Sequence, residues 1–310
     1  MNDSTIESYS AVLEKRLMKI RVATRGSALA LKQTDIAIEY LKEYLEDVSF
    51  EKVIINTHGD KDQKTALYNL NTNGVFMKEV EKALLDDEAD IAVHSLKDVP
   101  SVIHEGMALL PFEIFEDDRD CLISKNGLRL SELREGAVIA TSSIRRMAAI
   151  HHIRKDISFV NIRGNINTRL KKFIESDCDA MILAAAGLKR LGLEEYISEY
   201  LDEDIIIPAC GQGVIGIEVK MADLELYEKI MNNHSVKHQE ILIAREFLRR
   251  SGSSCHYPVG LKARIMGDKI HINAMLGDNI DNTVFINKTY EMCDIDTLVN
   301  MIIEDLRKEI

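Results

Sequence analysis

The chain has 310 residues, of which 46% are hydrophobic, and its 51 Asp and Glu outnumber 39 Lys and Arg, which gives a formal net charge of -12. This length predicts more than one domain. An acidic chain lacks the broad basic face that nucleic acid requires, its apolar runs are too short to cross a bilayer, and residues 1–19 lack the apolar core of a secretion signal. We therefore expect a cytoplasmic protein that binds neither nucleic acid nor a membrane.

The first two thirds of the chain alternate between predicted strands and helices. After a loose extension over 1–16, the pattern predicts strands near 20–25, 52–56 and 90–95, helices near 28–45 and 75–88, a long polar loop over 57–74, a second α/β block over 119–206 and a return strand over 214–219. Such alternation is typical of βαβ units with parallel strands. We therefore predict an α/β fold with parallel sheets.

The last quarter of the chain has a different pattern. It predicts a helix, a small-residue loop, three strands and a closing helix, near 236–250, 251–260, 261–266, 269–276, 283–289 and from about 294 onward. Only Gly267 and Asp268 separate the first two of these strands, as in a β-hairpin. This segment is expected to form a small α+β domain.

The cysteine content indicates a reducing compartment. The five cysteines are scattered, odd in number and never spaced as Cys-x-x-Cys, which argues against a disulfide framework and a thiolate metal site. His234 and His238 have the i, i+4 spacing of metal ligands on a helix but no evident third ligand, so we expect no metal.

Three segments share one layout, in which an apolar strand is followed by arginine with small polar residues and then by an amphipathic helix. They span 20–37, 137–150 and 157–173, and their arginines are Arg25, Arg145, Arg146, Arg163 and Arg169. A helix N-terminus offers unpaired N–H groups, and arginine adds a planar charged fork suited to carboxylates or phosphates. Between residues 141 and 190, ten Lys and Arg stand against four Asp and Glu. The sequence therefore predicts a cleft for a small polyanionic ligand.

Two further positions suggest chemistry. Asp98 and Lys97 follow the apolar strand near 90–95, where parallel α/β sheets bind their ligands, so Asp98 is a candidate catalytic carboxylate and Lys97 a candidate anion ligand. The alternative is that Asp98 caps a turn. Cys255 lies in a Gly/Ser-rich loop, which favours an accessible thiol over a buried one.

Together these segments resemble the porphobilinogen deaminase family, also called hydroxymethylbilane synthases. The resemblance spans about residues 19–310 and is carried by ATRGSALAL, DIAVHSLKDVPS, DDRD, TSSIRR, RGNINTRL, ILAAAGLKRLGL, a PxxGQG segment and the late loop cysteine. It implies a monomeric, cytoplasmic transferase of tetrapyrrole and haem biosynthesis. Such an enzyme joins four porphobilinogen molecules head to tail, with release of ammonia, into linear hydroxymethylbilane.

The resemblance also implies roles at the matching positions. Cys255 would carry a dipyrromethane cofactor through a thioether. Asp98 would be the catalytic carboxylate, assisting loss of the amino group and stabilising positive charge on the azafulvene and the pyrrole nitrogens. The residues that would hold acetate and propionate side chains of cofactor and substrate are Arg25, Ser27, Lys97, Thr141, Ser143, Arg145, Arg146, Arg163, Arg169 and Arg190.

The implied fold has two periplasmic-binding-protein-like α/β domains around a cleft, plus a small C-terminal α+β domain. From first to third, the domains would span 17–113 with 213–232, 118–207 and 233–310. The first would carry Asp98, the second the arginine-rich anion site and the third Cys255. Two segments, near 112–118 and 207–213, would cross between the first two domains.

The sequence departs from the family pattern at three places. Asn73 stands where the family often has a lysine between glycines, so the ion pair of that lid lysine is not expected. Gly252-Ser253-Ser254 replaces a common Gly-Gly, and Cys210 replaces a usually nonpolar residue. None of these changes involves Asp98, Cys255 or the arginines, so we expect a working enzyme with a modified lid.

The residues alone leave two other classes open. A solute-binding protein of the same two-domain architecture would explain an anion cleft, but it usually has a secretion signal and does not need Cys255. A transferase with a cysteine nucleophile would explain Cys255, but no His–Asp partnership for it is evident in the sequence.

Overall fold

The structure is a computed structural model that describes residues 18–55, 77–252 and 257–309. The predicted extension over 1–16, the polar loop with Asn73, and Cys255 therefore lie outside the described residues. Within the described ranges, no helix is both long enough and apolar enough to cross a membrane.

Strands and helices alternate along most of the chain. The strands are β1 Met18–Arg25, β2 Val48–Ile55, β3 Ile91–Ser95, β4 Met107–Leu109, β5 Asp120–Ser124, β6 Val138–Ala140, β7 Ser158–Val160, β8 Ala180–Ala184, β9 Glu199–Tyr200, β10 Ile215–Lys220, β11 Val259–Met266, β12 Lys269–Gly277 and β13 Thr283–Glu291. The α-helices are α1 Ala28–Lys42, α2 Lys78–Leu85, α3 Ile144–Ile153, α4 Ile166–Glu175, α5 Ala185–Leu191, α6 Glu228–Met231, α7 Val236–Arg250 and α8 Ile295–Lys308. Short 3₁₀ turns span Leu96–Asp98, Lys125–Gly127, Leu130–Glu132, Glu194–Tyr196 and Met221–Tyr227.

The first sheet has the strand order β2-β1-β3-β10-β4 and is mixed. Strand β1 is parallel to β2 and β3, as the sequence predicts, whereas β10 is antiparallel to both β3 and β4. The prediction of a wholly parallel sheet is therefore wrong for this strand. Ile215, the first residue of β10, pairs with Ser95, the last residue of β3. Because β10 starts at the carboxyl end of β3, it must run in the opposite direction to pair with the rest of that strand.

The second sheet repeats this arrangement in the order β7-β6-β8-β5-β9. Strand β6 is parallel to β7 and β8, and β5 is antiparallel to β8 and β9. Its core contains Leu122, Ile139 and Ile150, all fully buried. Because β6 and β7 are parallel neighbours, the loops that lead from them into α3 and α4 emerge at the same edge of the sheet.

The third sheet is an antiparallel β11-β12-β13 meander covered by helices α7 and α8. Met266 pairs with Lys269, which confirms the predicted two-residue turn, and Gly267 takes the left-handed φ of +67° that such a turn favours. Phe247 and Leu298, from the two helices, are fully buried in its core. The predicted fold class, two α/β units plus a small C-terminal α+β unit, is confirmed.

Two chain segments cross side by side between the α/β units. Phe115 and Val214 form an isolated antiparallel bridge, and Glu116 N donates to Gly213 O at 3.0 Å. This pairing brings residues 211–213 between the first and second sheets. The limits given above for the three domains stay a prediction.

Candidate active site

Asp98 lies on a 3₁₀ turn at the carboxyl end of β3. The strand residues 91–94 are buried, and Leu96 at the start of the turn is fully buried, which anchors the turn to the sheet. The Asp98 side chain is exposed, whereas Lys97 is half-buried. On the neighbouring helix α1, Gln33 Nε2 donates to Ser95 Oγ at 2.9 Å and so holds the end of the strand.

The three predicted strand–arginine–helix junctions all form, as β1–α1, β6–α3 and β7–α4. Each helix has a side-chain N-cap: Ser27 accepts from Ala30 N at 3.3 Å, Ser143 from Arg146 N at 3.5 Å and Asn165 from Thr168 N at 2.9 Å. These caps explain why the helices begin where they do. In this structure Ser27 and Ser143 are thus helix caps, which leaves the other N–H groups of each first turn for a ligand.

The second and third junctions are joined to each other. The buried Thr141 donates its N–H to Val160 O at 2.9 Å, and Ser142 Oγ donates to Ile162 O at 2.8 Å. The first junction also comes near them, because Gly187 of α5 is flanked by Leu29 of α1 and Ile166 of α4. A Cβ on Gly187 would lie 2.6 Å from Ile166 Cδ1, so a larger residue here would require the end of the Ile166 side chain to move.

Arg145 and Arg146 share one buried carboxylate, that of Asp120. Arg146 Nε and Nη2 lie 3.0 and 2.7 Å from Asp120 Oδ1, and Arg145 Nη1 lies 2.8 Å from Oδ2. Arg146 also donates to Ile182 O at 3.1 Å and Arg145 to Ile207 O at 2.5 Å. Burial alone would raise the pKa of Asp120, but the two guanidinium groups hold it well below its usual range.

The remaining predicted arginines, Arg25, Arg163, Arg169 and Arg190, are all half-buried. Arg169 Nε donates to Gly164 O at 2.7 Å, and Arg190 Nη2 donates to Gly213 O at 2.5 Å in the crossing segment. Burial lowers the pKa of each of these two arginines to about 10. Both remain cationic at neutral pH, and burial leaves their charge poorly hydrated and favourable to anions.

Asp98 lies near enough to the arginines of the second unit to influence the pKa of one of them. The pKa of Arg169 is lowered chiefly by burial and then by Arg146, while Asp98 acts in the opposite direction. The pKa of Lys97 is lowered to about 8, first by burial and then by Arg146, and Asp98 and Asp120 oppose this shift. The carboxylate of the first unit therefore lies within the electrostatic reach of the arginines of the second.

Sequence reasoning missed two residues that organise this region. Asp120 belongs to the DDRD motif but received no role, although an acid at the start of an apolar strand was a visible signal. Gln212 was noted only as the middle residue of the Gly211-Gln212-Gly213 segment, yet its buried side chain contacts both Lys97 and Asp120. Both contacts join parts of the chain that are far apart in sequence.

The chain is similar to a known protein family and to solved two-lobe structures. Residues 20–228 match the family described as porphobilinogen deaminase, dipyromethane cofactor binding domain. Among solved structures, the periplasmic VFT2 domain of BvgS from Bordetella pertussis is similar at 13% identity with a TM-score of 0.42, covering 79% of this chain and 98% of that chain. The sheet topology described above, rather than this likeness, defines the fold.

Curated relatives match along most of the chain. The porphobilinogen deaminase of Shouchella clausii is 42% identical over 271 residues, covering 86% of this chain and 87% of its own. That of Oceanobacillus iheyensis is 42% identical, covering 88% and 89%, and that of Clostridioides difficile is 41% identical, covering 87% and 90%. With the family match and the arrangement of Asp98 and the arginines, these relatives show that the chain belongs to the porphobilinogen deaminase family.

Proposed function

We propose that this chain condenses four porphobilinogen molecules head to tail onto a covalently held dipyrromethane, with release of ammonia, to give linear hydroxymethylbilane. The observation that carries the proposal is an exposed carboxylate, Asp98, set near cations of both α/β units. Asp98 and Arg146 each affect the pKa of Lys97 and the pKa of Arg169, Asp98 raising both and Arg146 lowering both. This composition suits a ligand that carries several carboxylates and develops positive charge where it reacts.

The cations present fit a dipyrromethane. Each pyrrole carries an acetate and a propionate, and Asp120 offsets only part of the charge of Arg145 and Arg146. The residues that would hold these carboxylates are Arg25, Ser27, Lys97, Thr141, Ser143, Arg145, Arg146, Arg163, Arg169 and Arg190. When bound, the group supplies the pyrrole end to which new units are joined. The protein supplies binding and orientation.

Asp98 is the group we assign to the chemistry. Loss of ammonia from porphobilinogen leaves positive charge shared by the methylene carbon and the pyrrole nitrogen, and a nearby carboxylate stabilises that charge. Asp98 is exposed, and its turn is anchored by Leu96 and by the end of β3. Arginine would oppose the developing charge, so the arginines position and retain the chain.

Cys255 is the proposed attachment point of the cofactor. It lies outside the described residues, so its support comes from the other four cysteines. Cys121, Cys178 and Cys210 are buried and Cys293 is half-buried. Burial raises the pKa of Cys121 and of Cys210 to about 12, which keeps these thiols protonated and unreactive at neutral pH.

We further propose that the protein is monomeric and cytoplasmic. The scattered, odd-numbered cysteines of the sequence, without a Cys-x-x-Cys pair, favour a reducing compartment. Light scattering of the purified protein tests the oligomeric state. A dimer mass at micromolar concentration would contradict the monomer.

Intact-protein mass spectrometry tests the cofactor and its attachment. The purified protein should carry the mass of two linked pyrroles, Cys255→Ser should lose it and keep the far-ultraviolet circular dichroism of a folded protein, and Cys293→Ser should keep the adduct. An unmodified wild-type mass would favour a solute-binding protein of the same fold. Peptide mapping that found the adduct on Cys121 or Cys210 would refute the assignment of Cys255.

A further inference from the structure

Gln212 lies in the crossing segment, and its side chain is buried, with 3% of its surface exposed. The glycines on either side of it, Gly211 and Gly213, have φ of +80° and +83°. A Cβ on Gly213 would lie 2.5 Å from the carbonyl oxygen of Glu116. A side chain at position 213 would therefore clash with the backbone of the other crossing segment, and the positive φ at both positions favours glycine.

The amide of Gln212 connects the two sides of the cleft. Its Oε1 accepts from Lys97 Nζ at 3.1 Å, and its Nε2 donates to Asp120 Oδ1 at 3.0 Å and to Asp118 O at 2.8 Å. An ammonium group can only donate and a carboxylate can only accept, so these partners set which end of the amide faces which. All three hydrogen bonds depend on the amide having both an acceptor and a donor.

We propose that Gln212 is a positioning residue of the deaminase reaction. It ties Lys97, the neighbour of Asp98, to Asp120, the carboxylate that orients Arg145 and Arg146. This inference rests on the proposed function, because it assigns Gln212 to the same site. Through these hydrogen bonds the amide fixes the spacing between the Leu96–Asp98 turn, which carries Asp98, and helix α3, which carries Arg145 and Arg146.

Lys97 provides a direct readout of this bridge. Its charged neighbours are Asp98 on its own turn, Asp120 on β5, and Arg145 and Arg146 on α3. Gln212→Glu keeps the shape but places an anion beside the Lys97 ammonium and beside Asp120. Gln212→Met keeps the length and removes the acceptor. The first change should raise the pKa of Lys97 and the second should lower it, whereas changes at a residue that does not contact Lys97 would not produce opposite shifts.

The experiment measures acetylation of Lys97 by acetic anhydride between pH 6 and 11, with peptide mass spectrometry as the readout. All proteins are full-length and carry Cys255→Ser, so that cofactor content is identical. The pH at which Lys97 acetylation reaches half its maximal rate should rise by about one pH unit or more with Gln212→Glu. This midpoint should fall with Gln212→Met. The matched control is Gln239→Met, which changes an exposed glutamine of α7 and should leave the midpoint unchanged.

Steady-state kinetics of the same substitutions with Cys255 restored complete the test, with rates divided by the fraction of protein that carries the adduct. Both Gln212 variants should lose about tenfold to a hundredfold in kcat/KM, and Gln239→Met should not. Midpoints that coincide or move in one direction would overturn the bridge, and unchanged kcat/KM would overturn its role in positioning. If the wild type itself lacked deaminase activity, the proposed function would fail, while the Lys97 titration would still decide whether the bridge exists.

Discussion

Arg146 holds Asp120 through a single oxygen, Oδ1, which accepts from Nε at 3.0 Å and from Nη2 at 2.7 Å while Oδ2 faces Arg145. Asp120 is fully buried, and both arginines are nearly so. Two adjacent cations on one helix are thereby oriented by one anion on the neighbouring strand β5. Without that anion the two guanidinium groups would repel each other at the place where ligand carboxylates are expected.

Asp120→Asn should therefore destabilise the protein strongly. Removing one partner of a buried ion pair leaves an uncompensated charge and costs about 3–5 kcal/mol. The control is Asp156→Asn, which breaks a more exposed pair with Arg154 in the same α/β unit and should destabilise the protein much less. Urea unfolding of both variants measures the difference. Equal losses in the two would contradict a special role for Asp120.

Asp98→Asn and Asp98→Glu should bind substrate yet turn over slowly. Asn keeps the shape and loses the charge, and Glu keeps the charge but displaces it by one methylene, so Asn should be worse. An oriented electrostatic contribution of this kind is worth about 3 kcal/mol, or roughly a hundredfold in turnover. Steady-state rates of variants with the cofactor attached provide the measurement. Near-normal turnover by Asp98→Asn would direct the search to another carboxylate of the cleft.

Lysine should replace the cleft arginines poorly. Arg146→Lys loses the fork that contacts both Asp120 and Ile182 O, and Arg169→Lys loses the Nε bond to Gly164 O. Each change should cost about 1.5–3 kcal/mol, or roughly tenfold to a hundredfold in kcat/KM.

The control for these lysine substitutions is Arg134→Lys, since Arg134 pairs with Asp179 at the surface of the same unit and should tolerate lysine. Wild-type kcat/KM in both cleft variants would show that these arginines do not hold the ligand.

Lys97 should make stability depend on alkaline pH. Its folded-state pKa of about 8 lies below the ordinary value of 10.5, so between these values the unfolded chain binds more protons than the folded protein. The penalty for burying the ammonium is complete below pH 8 and is relieved as pH rises towards 10.5.

The measurement is urea unfolding of Cys255→Ser with and without Lys97→Met, which avoids cofactor carboxylates. The stability gained by Lys97→Met should be larger at pH 7 than at pH 10. A gain that is the same at both pH values would show that Lys97 is not desolvated.

The sequence by itself determined the features that depend on neighbouring residues. The junctions capped by Ser27, Ser143 and Asn165 could be predicted because a strand, a cap and an amphipathic helix follow one another along the chain. The Gly267-Asp268 turn could be predicted for the same reason. Asp98 and Cys255 were recognisable as candidates because each lies within a short, contiguous run of characteristic residues.

Tertiary structure alone decided how these features meet. The antiparallel direction of β10 follows from its starting beside Ser95, which no local pattern encodes. Asp120 contacts Arg146, which is 26 residues away in the sequence, and Gln212 contacts Lys97, which is 115 residues away. A buried charge or amide without a partner destabilises the protein, so the folded chain must bring these distant residues together. No feature of the local sequence around either partner shows which residue the other one is. The electrostatics of the cleft therefore depend on both α/β units and on the segments that cross between them.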